Sequence, residues 1–165
     1  MAAVIPSSLI KNLKKIVGER NVAESRTASE LYSYDASLAK GAPGAVVFPA
    51  DTAETAAVVK EATLAGIPFV PRGFGTNLSG GTVLPYSGLT ICLTRLKRIL
   101  GIYPDRRTAV VQPGVTNLEL QNALSPLGFF YAPDPASQRV ATLGETLEKI
   151  PEVRAVSDTG LPPTM

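Results

Sequence analysis

The residues richest in chemical potential lie between positions 71 and 81, which read Pro71-Arg72-Gly73-Phe74-Gly75-Thr76-Asn77-Leu78-Ser79-Gly80-Gly81. Four glycines fall between Gly73 and Gly81, directly after an apolar run. Glycine has no Cβ and tolerates positive φ. The main chain can therefore approach a ligand closely, and consecutive N–H groups can turn inward around an anion. Thr76, Asn77 and Ser79 add short hydroxyl and amide donors, and Arg72 brings a positive charge. This set suits a diphosphate held mostly by backbone donors. It is not the P-loop, because no Gly-Lys-Ser/Thr follows, and its spacing fails the dinucleotide fingerprint. A wide connection between two strands accounts for the same composition, so both readings stand at this level.

A second stretch is similar in kind. In Tyr131-Ala132-Pro133-Asp134-Pro135-Ala136-Ser137, two prolines fix φ and stiffen the chain, leaving Ser137, Thr142 and Gly144 as donors. A stiff wall of small polar residues can border a ligand, although stiff surface loops without one are commoner. Other side chains read blandly. Cys92 sits in an apolar run as core packing, Asp105-Arg106-Arg107 is a solvated turn, and Tyr32 and Tyr34 pack N-terminal helices. No carboxylate pair is arranged as general acid and base. The sequence also contains no histidine and no tryptophan. Lack of histidine closes Ser-His-Asp, Cys-His and most zinc chemistry together. No catalytic residue and no metal ligand is assigned.

These loops need a folded scaffold to hold them. The 165 residues bound the chain at one domain, or one domain and part of another. Hydrophobic residues make up 45%, enough for a buried core. Sixteen Lys+Arg against fourteen Asp+Glu leave a net charge of +2, too small an excess for a nucleic-acid binder. No apolar run reaches the roughly 18 residues of a membrane span. The single cysteine cannot close an internal disulfide, which favours a cytoplasmic setting. The N-terminus does not read as a secretory signal, because Lys11, Lys14 and Lys15 follow the short apolar stretch instead of preceding it.

The periodicity predicts an amphipathic helix over Ser7 to Val17, capped by Ser7 or Ser8 and stopped by Gly18, with Leu9, Ile10, Leu13, Ile16 and Val17 as its apolar stripe. A short helix follows around Ser29 to Tyr34, then a turn cluster at residues 40–44. Ala45 to Phe48 reads as a buried parallel strand. Asp51 or Thr52 caps a helix with Ala56, Val59, Ala62 and Thr63 on one face, ended by Gly66, and Ile67 to Val70 reads as the next strand. Strand, helix and strand at this spacing form a βαβ unit. Further strands are expected at Leu89 to Leu93 and at Thr108 to Gln112, the latter closing a hairpin around residues 103–107. A helix is expected over Asn117 to Leu124. No internal repeat is present. The fold class is mixed α+β (α/β).

Several of these segments together resemble a known family. The 71–81 loop looks like the first flavin-diphosphate loop of FAD-linked oxidases of the p-cresol methylhydroxylase (PCMH) and vanillyl-alcohol oxidase superfamily. Within it, the chain is most similar to the glycolate oxidase catalytic subunits and D-2-hydroxy-acid dehydrogenases, including D-lactate dehydrogenases. Leu31-Tyr32-Ser33-Tyr34-Asp35-Ala36-Ser37, Val111-Gln112-Pro113-Gly114-Val115 and residues 131–138 support the likeness, which runs from about Leu9 to Gly144.

The resemblance implies FAD as cofactor, in a PCMH-type domain of two α/β subdomains with the cofactor between them. Residues 1–41 would be an N-terminal helical segment. Residues 42–144 would hold the first subdomain, containing the βαβ unit, and the start of the second. It also implies that Pro71, Arg72, Gly73, Gly75, Thr76, Asn77, Leu78, Ser79, Gly80 and Gly81 wrap the diphosphate. Pro113, Gly114 and Val115 would line the cofactor, and Pro133, Asp134, Ser137, Thr142 and Gly144 would border its ribityl and flavin side. The implied reaction oxidises a 2-hydroxy acid to a 2-oxo acid by hydride transfer to the flavin, the protein orienting the cofactor. The implied partners are a small 2-hydroxy acid and the subunits of an oxidase complex. No nucleic acid and no direct membrane insertion are implied. Localisation would be cytoplasmic, or peripheral to the inner face of a membrane through those subunits.

Residues 145–165 depart from the family pattern, which continues Gly-Asn, then Glu-Asn-Ser-Gly-Gly, then Tyr-Gly-Val-Thr and a histidine. Codons compatible with Glu145 to Met165, read one frame over, can spell that continuation. A frameshift near Gly144 is therefore expected, with 145–165 a disordered tail and the chain inactive alone. Two rival expectations are a non-catalytic nucleotide-diphosphate-binding module and an inactive pseudogene product.

Overall fold

The computed structural model describes residues 5–133, 135–148 and 157–158. The chain divides into two compact units, Met1–Leu96 and Lys97–Met165.

The first unit is a four-stranded sheet with helices packed against it. Helix α1 spans Ser7–Val17 and buries Leu9, Ile10, Leu13 and Val17, most of the expected stripe. Its N-cap is Pro6, with no side-chain cap, so Ser7 is the first helical residue and not the cap. Gly18, at φ 85°, stops it. Strand β1 (Val22–Ala23) follows. Helix α2 is Arg26–Leu31, three residues earlier than the periodicity suggests. The reason is local: the Ser25 hydroxyl accepts from Ala28 N at 3.1 Å and so starts the helix there.

Strand β2 (Ala45–Val47) is buried throughout, as expected of a strand inside a parallel sheet. Helix α3 (Thr52–Leu64) starts at the Asp51 cap, whose carboxylate accepts from Glu54 N at 2.8 Å. Its buried residues are Val58 and Ala62, while Ala56 and Thr63 from the expected face are exposed. The sequence of α3 is rich in alanine and threonine all round, so its periodicity is faint. Packing against the core selects the face carrying Val58. Gly66, at φ 64°, ends the helix.

Strand β3 covers Phe69–Arg72, two residues later than expected, and β4 covers Leu89–Cys92. The sheet order is β1-β2-β4-β3, so β4 lies between the two strands of the βαβ unit and pairs parallel with both. Strand β3 is an edge. That position tolerates Pro71, which has no N–H for a ladder, and explains why Phe69 stays 37% exposed.

The second unit opens with the expected hairpin, β5 (Ile99–Tyr103) antiparallel to β6 (Thr108–Val111). The Pro104–Arg106 turn closes it, with Arg107 left-handed at φ 48°. Helix α4 (Asn117–Leu124) has the bounds the sequence predicts. It begins in a capping box, in which Thr116 Oγ1 accepts from Glu119 N and the Glu119 carboxylate accepts from Thr116 N. Strand β7 (Phe129–Phe130), helix α5 (Leu143–Glu148) and strand β8 (Ser157–Asp158) complete the described elements, with β7 antiparallel to β8. Helix α5 crosses the 144/145 position, where the sequence leads one to expect the family pattern to break. The core of this unit gathers Val115, Leu120, Leu124, Tyr131 and Leu143.

Leu13 is fully buried in the first unit, so Leu13→Ala is expected to cost about 2–5 kcal/mol in urea denaturation. Thr116→Ala removes the capping box of α4 and is expected to cost about 1 kcal/mol, read as a lower urea midpoint.

Candidate functional site

Strands β3 and β4 are adjacent and parallel, yet the chain joining them, residues 73–88, contains no helix. Parallel neighbours usually connect through a helical crossover, and long irregular connections inside compact units are usually functional. The glycine loop is the first half of this connection.

Its interior is polar and closed. Asn77, 3% exposed, donates from Nδ2 to Thr82 Oγ1 at 2.9 Å, and its Oδ1 accepts from Ser79 N and Gly81 N at 3.2 and 3.3 Å. Arg72 does not project into solvent. It is buried, donates from Nη1 to Thr82 Oγ1 at 3.4 Å, and stacks its guanidinium 5.4 Å from the Tyr32 ring centroid. Its Nε is buried without a partner. Gly75 has φ +72°, and a Cβ there would run into that guanidinium. The positive charge thus lies inside the bend, beneath its backbone.

The outer side of the loop is open. Among the described residues, the N–H groups of Phe74, Asn77, Leu78 and Gly80 donate to no protein acceptor, and a Cβ on Gly81 would meet nothing within 4 Å. Gly80 takes φ +74°. Phe74 and Leu78 are exposed, and Thr76 is half-buried. Unspent amides, glycines at positive φ and a buried arginine below them make a cradle suited to an anion. The bend is not folded shut on neighbouring carbonyls.

A second group gathers in the other unit. Pro113, Gly114 and Val115 run directly into the α4 cap. Leu143 N donates to Val115 O at 2.8 Å and Gly144 N to Pro113 O at 2.9 Å. A Cβ on Gly144 would sit 2.9 Å from the Pro113 Cβ, so the close approach requires glycine. Thr142, 1% exposed, bridges to Thr116. Asn117 Nδ2 donates to Pro133 O at 2.6 Å, fixing the proline-rich stretch to α4. Ser137 O accepts from Val140 N and Ala141 N at 2.8 and 2.7 Å. Asp134 lies outside the described residues. Among them, no cluster of potential metal ligands occurs, and no helix is long and apolar enough to cross a membrane.

Sequence reasoning passed over Asp35, Thr82 and Tyr32 as site-forming residues. Asp35 carries one local signal, an Asx-type turn in which its Oδ1 accepts from Ser37 N and Ser37 Oγ at 2.8 and 2.5 Å. Burial pushes the Asp35 carboxyl upward, but the hydrogen bonds from Ser37 and Thr82, with the Arg72 charge, outweigh it and hold it below the ordinary carboxylate value. The Tyr32 phenol is pushed up, chiefly by burial and also by the nearby Cys92, against a smaller opposing effect of Arg72. Nothing in the local sequence marks Thr82.

The family model for the FAD binding domain matches residues 43–147, a span containing both loops. A glycolate oxidase subunit of Bacillus subtilis is 35% identical over 147 residues, 88% of this chain and 31% of the relative. A mitochondrial D-lactate dehydrogenase [cytochrome] of Arabidopsis thaliana is 29% identical over 134 residues, 79% of this chain and 24% of the relative. The chain thus spans about a third or less of the length of these relatives. Among solved structures, p-cresol methylhydroxylase with substrate bound superposes with a TM-score of 0.73 at 20% identity, covering 86% of this chain and 29% of that one. An alkyldihydroxyacetonephosphate synthase superposes at 0.76 and 23%, covering 87% and 29%. These likenesses show the mixed α/β fold expected from the sequence. This chain belongs to the FAD-binding domain family, and its cofactor is FAD.

Proposed function

We propose that this chain supplies the diphosphate-holding part of the FAD-binding domain in an oxidoreductase that converts a 2-hydroxy acid of the glycolate or D-lactate type to the 2-oxo acid. The observation that carries this reading is the set of unspent amides at Phe74, Asn77, Leu78 and Gly80, on a bend that also holds a buried arginine. The names of the glycolate oxidase subunit and the D-lactate dehydrogenase among its relatives support the substrate class.

In this reading the 73–81 bend wraps the diphosphate, the amides of Phe74, Asn77, Leu78 and Gly80 grip it, Pro71 sets the entry to the bend, and Arg72 contributes charge from below. Pro113, Gly114 and Val115 line the cofactor, while Pro133, Asp134, Ser137, Thr142 and Gly144 border its ribityl and flavin side. Bound FAD supplies a flavin that accepts a hydride from the substrate's hydroxyl-bearing carbon. The residues of this chain bind and orient, and none is assigned to take the substrate proton, since the sequence contains no histidine. The word "subunit" in the glycolate oxidase name supports assembly with further subunits, and the cytoplasm or the inner face of a membrane is the location this reading assigns.

Titration of the purified chain with FAD is expected to quench flavin fluorescence and give a saturable complex. Gly75→Ala adds a Cβ at positive φ against Arg72, a strain of roughly 1–2 kcal/mol, and is expected to weaken FAD binding about tenfold in the same titration. The substrate class is tested by joining residues 1–144 to the remainder of the Bacillus subtilis relative. Anaerobic glycolate or D-lactate is expected to bleach the flavin of that chimera. A chimera that retains FAD but is bleached by neither acid overturns the substrate class and leaves the FAD reading intact.

A further inference from the structure

The segment Asp35 to Ala39, remote in sequence from the glycine loop, is packed against it at three places. Ala36 N donates to Gly75 O at 3.1 Å, the Gly80 backbone approaches so closely that a Cβ there would lie 3.1 Å from the Ala39 Cβ, and Thr82 Oγ1 lies 3.4 Å from Asp35 Oδ2. Thr82 is 1% exposed and Asp35 7% exposed. A hydroxyl has one hydrogen to donate and two lone pairs to accept with. Both lone pairs of Thr82 face donors, Asn77 Nδ2 at 2.9 Å and Arg72 Nη1 at 3.4 Å. Its hydrogen is therefore directed to the carboxylate of Asp35. That carboxylate also accepts twice from Ser37, which fixes its orientation.

We propose that Asp35 and Thr82 are positioning residues for the diphosphate loop. The Asp35 carboxylate orients the Thr82 hydroxyl, and that hydroxyl fixes the Asn77 side chain and the Arg72 guanidinium. Asn77 Oδ1 then occupies the Ser79 and Gly81 amides, while Arg72 supports Gly75 from beneath. Which amides of the bend are spent internally and which face outward is set by this buried chain of contacts. Neither residue touches the ligand; both act through Asn77 and Arg72. The inference rests on the FAD reading above for its consequence, but its structural half stands in the ligand-free chain.

The test compares Thr82→Val, which keeps the shape and deletes the hydroxyl, with Thr82→Ser, which keeps the hydroxyl. Asp35→Asn is a second variant, unable to accept at both oxygens, and Leu13→Ala is a control that weakens the same unit in the α1 core. Hydrogen exchange of the ligand-free chain reads the Ser79 and Gly81 amides. Their exchange is expected to quicken about tenfold in Thr82→Val and Asp35→Asn, and to stay at the wild-type rate in Thr82→Ser. FAD titration is expected to show about tenfold weaker binding in the first two variants, with affinity retained in Thr82→Ser and in folded Leu13→Ala. Wild-type exchange and affinity in both Thr82→Val and Asp35→Asn overturn the proposal, as does Thr82→Ser behaving like Thr82→Val. If the wild-type chain binds no FAD, the functional reading fails instead, and the exchange measurement alone decides this one.

Discussion

Two parallel strands hydrogen-bonded to each other must be joined by chain that travels back the full length of the strands, and that chain must satisfy its own polar groups. Strands β3 and β4 meet this requirement without a crossover helix. A helix would have satisfied its backbone internally; residues 73–88 cannot. The amides of Ser79 and Gly81 are instead satisfied by the side chain of Asn77, and Val83 N by Gly80 O at 3.1 Å. The amides of Phe74, Asn77, Leu78 and Gly80 are left over. The proposed diphosphate site is, in this sense, what remains after an irregular crossover has completed its internal hydrogen bonding.

That arrangement carries a cost which the surroundings offset. Arg72 and Asp35 are both buried charges, and burying a charge is strongly unfavourable unless it is paired and hydrogen-bonded. Tyr32 presents its ring to the guanidinium, Ser37 donates twice to the carboxylate, and Thr82 stands between the two charges. The sheet makes this geometry rigid. Strand β4 is buried at all four positions and anchored on both sides, and Leu93 N donates to Arg72 O at 2.8 Å, locking the strand end from which Arg72 projects. The other unit relies on close backbone approach as well. Gly144 against Pro113 and Thr142 against Thr116 bring two distant stretches together at the α4 cap.

What could be read without coordinates was whatever short-range chemistry decides. The glycine spacing from 73 to 81, the Asp51 cap, the bounds of α4 and the hairpin turn at residues 103–107 follow from residue types within a few positions of one another, and the structure has them. The several motifs in order were also enough to identify the fold class and the flavin cofactor. Local rules failed where two local signals competed or where the signal was diffuse. Ser25 outcompeted Ser29 as a helix start, because its hydroxyl is free to cap while Ser29 Oγ donates to Pro43 O at 2.6 Å. The alanine-rich face of α3 gave no period sharp enough to select Val58 over Ala56.

Tertiary structure alone decided where charge and hydroxyl groups ended up. From sequence, Arg72 is a cation beside a phosphate loop; in the fold its guanidinium is inside the bend, because β3 ends with that side chain on its buried side, beside Tyr32. Asp35 and Thr82 are 47 positions apart, and no pattern within either segment predicts that they meet. The strand order that puts β4 between β2 and β3 is likewise invisible locally, since apolar runs record burial but not neighbours. Residue type and spacing determined what chemistry the loop could offer. Which of its groups are spent inside and which are left over depended on contacts between segments far apart in the chain, and only folding brings those together.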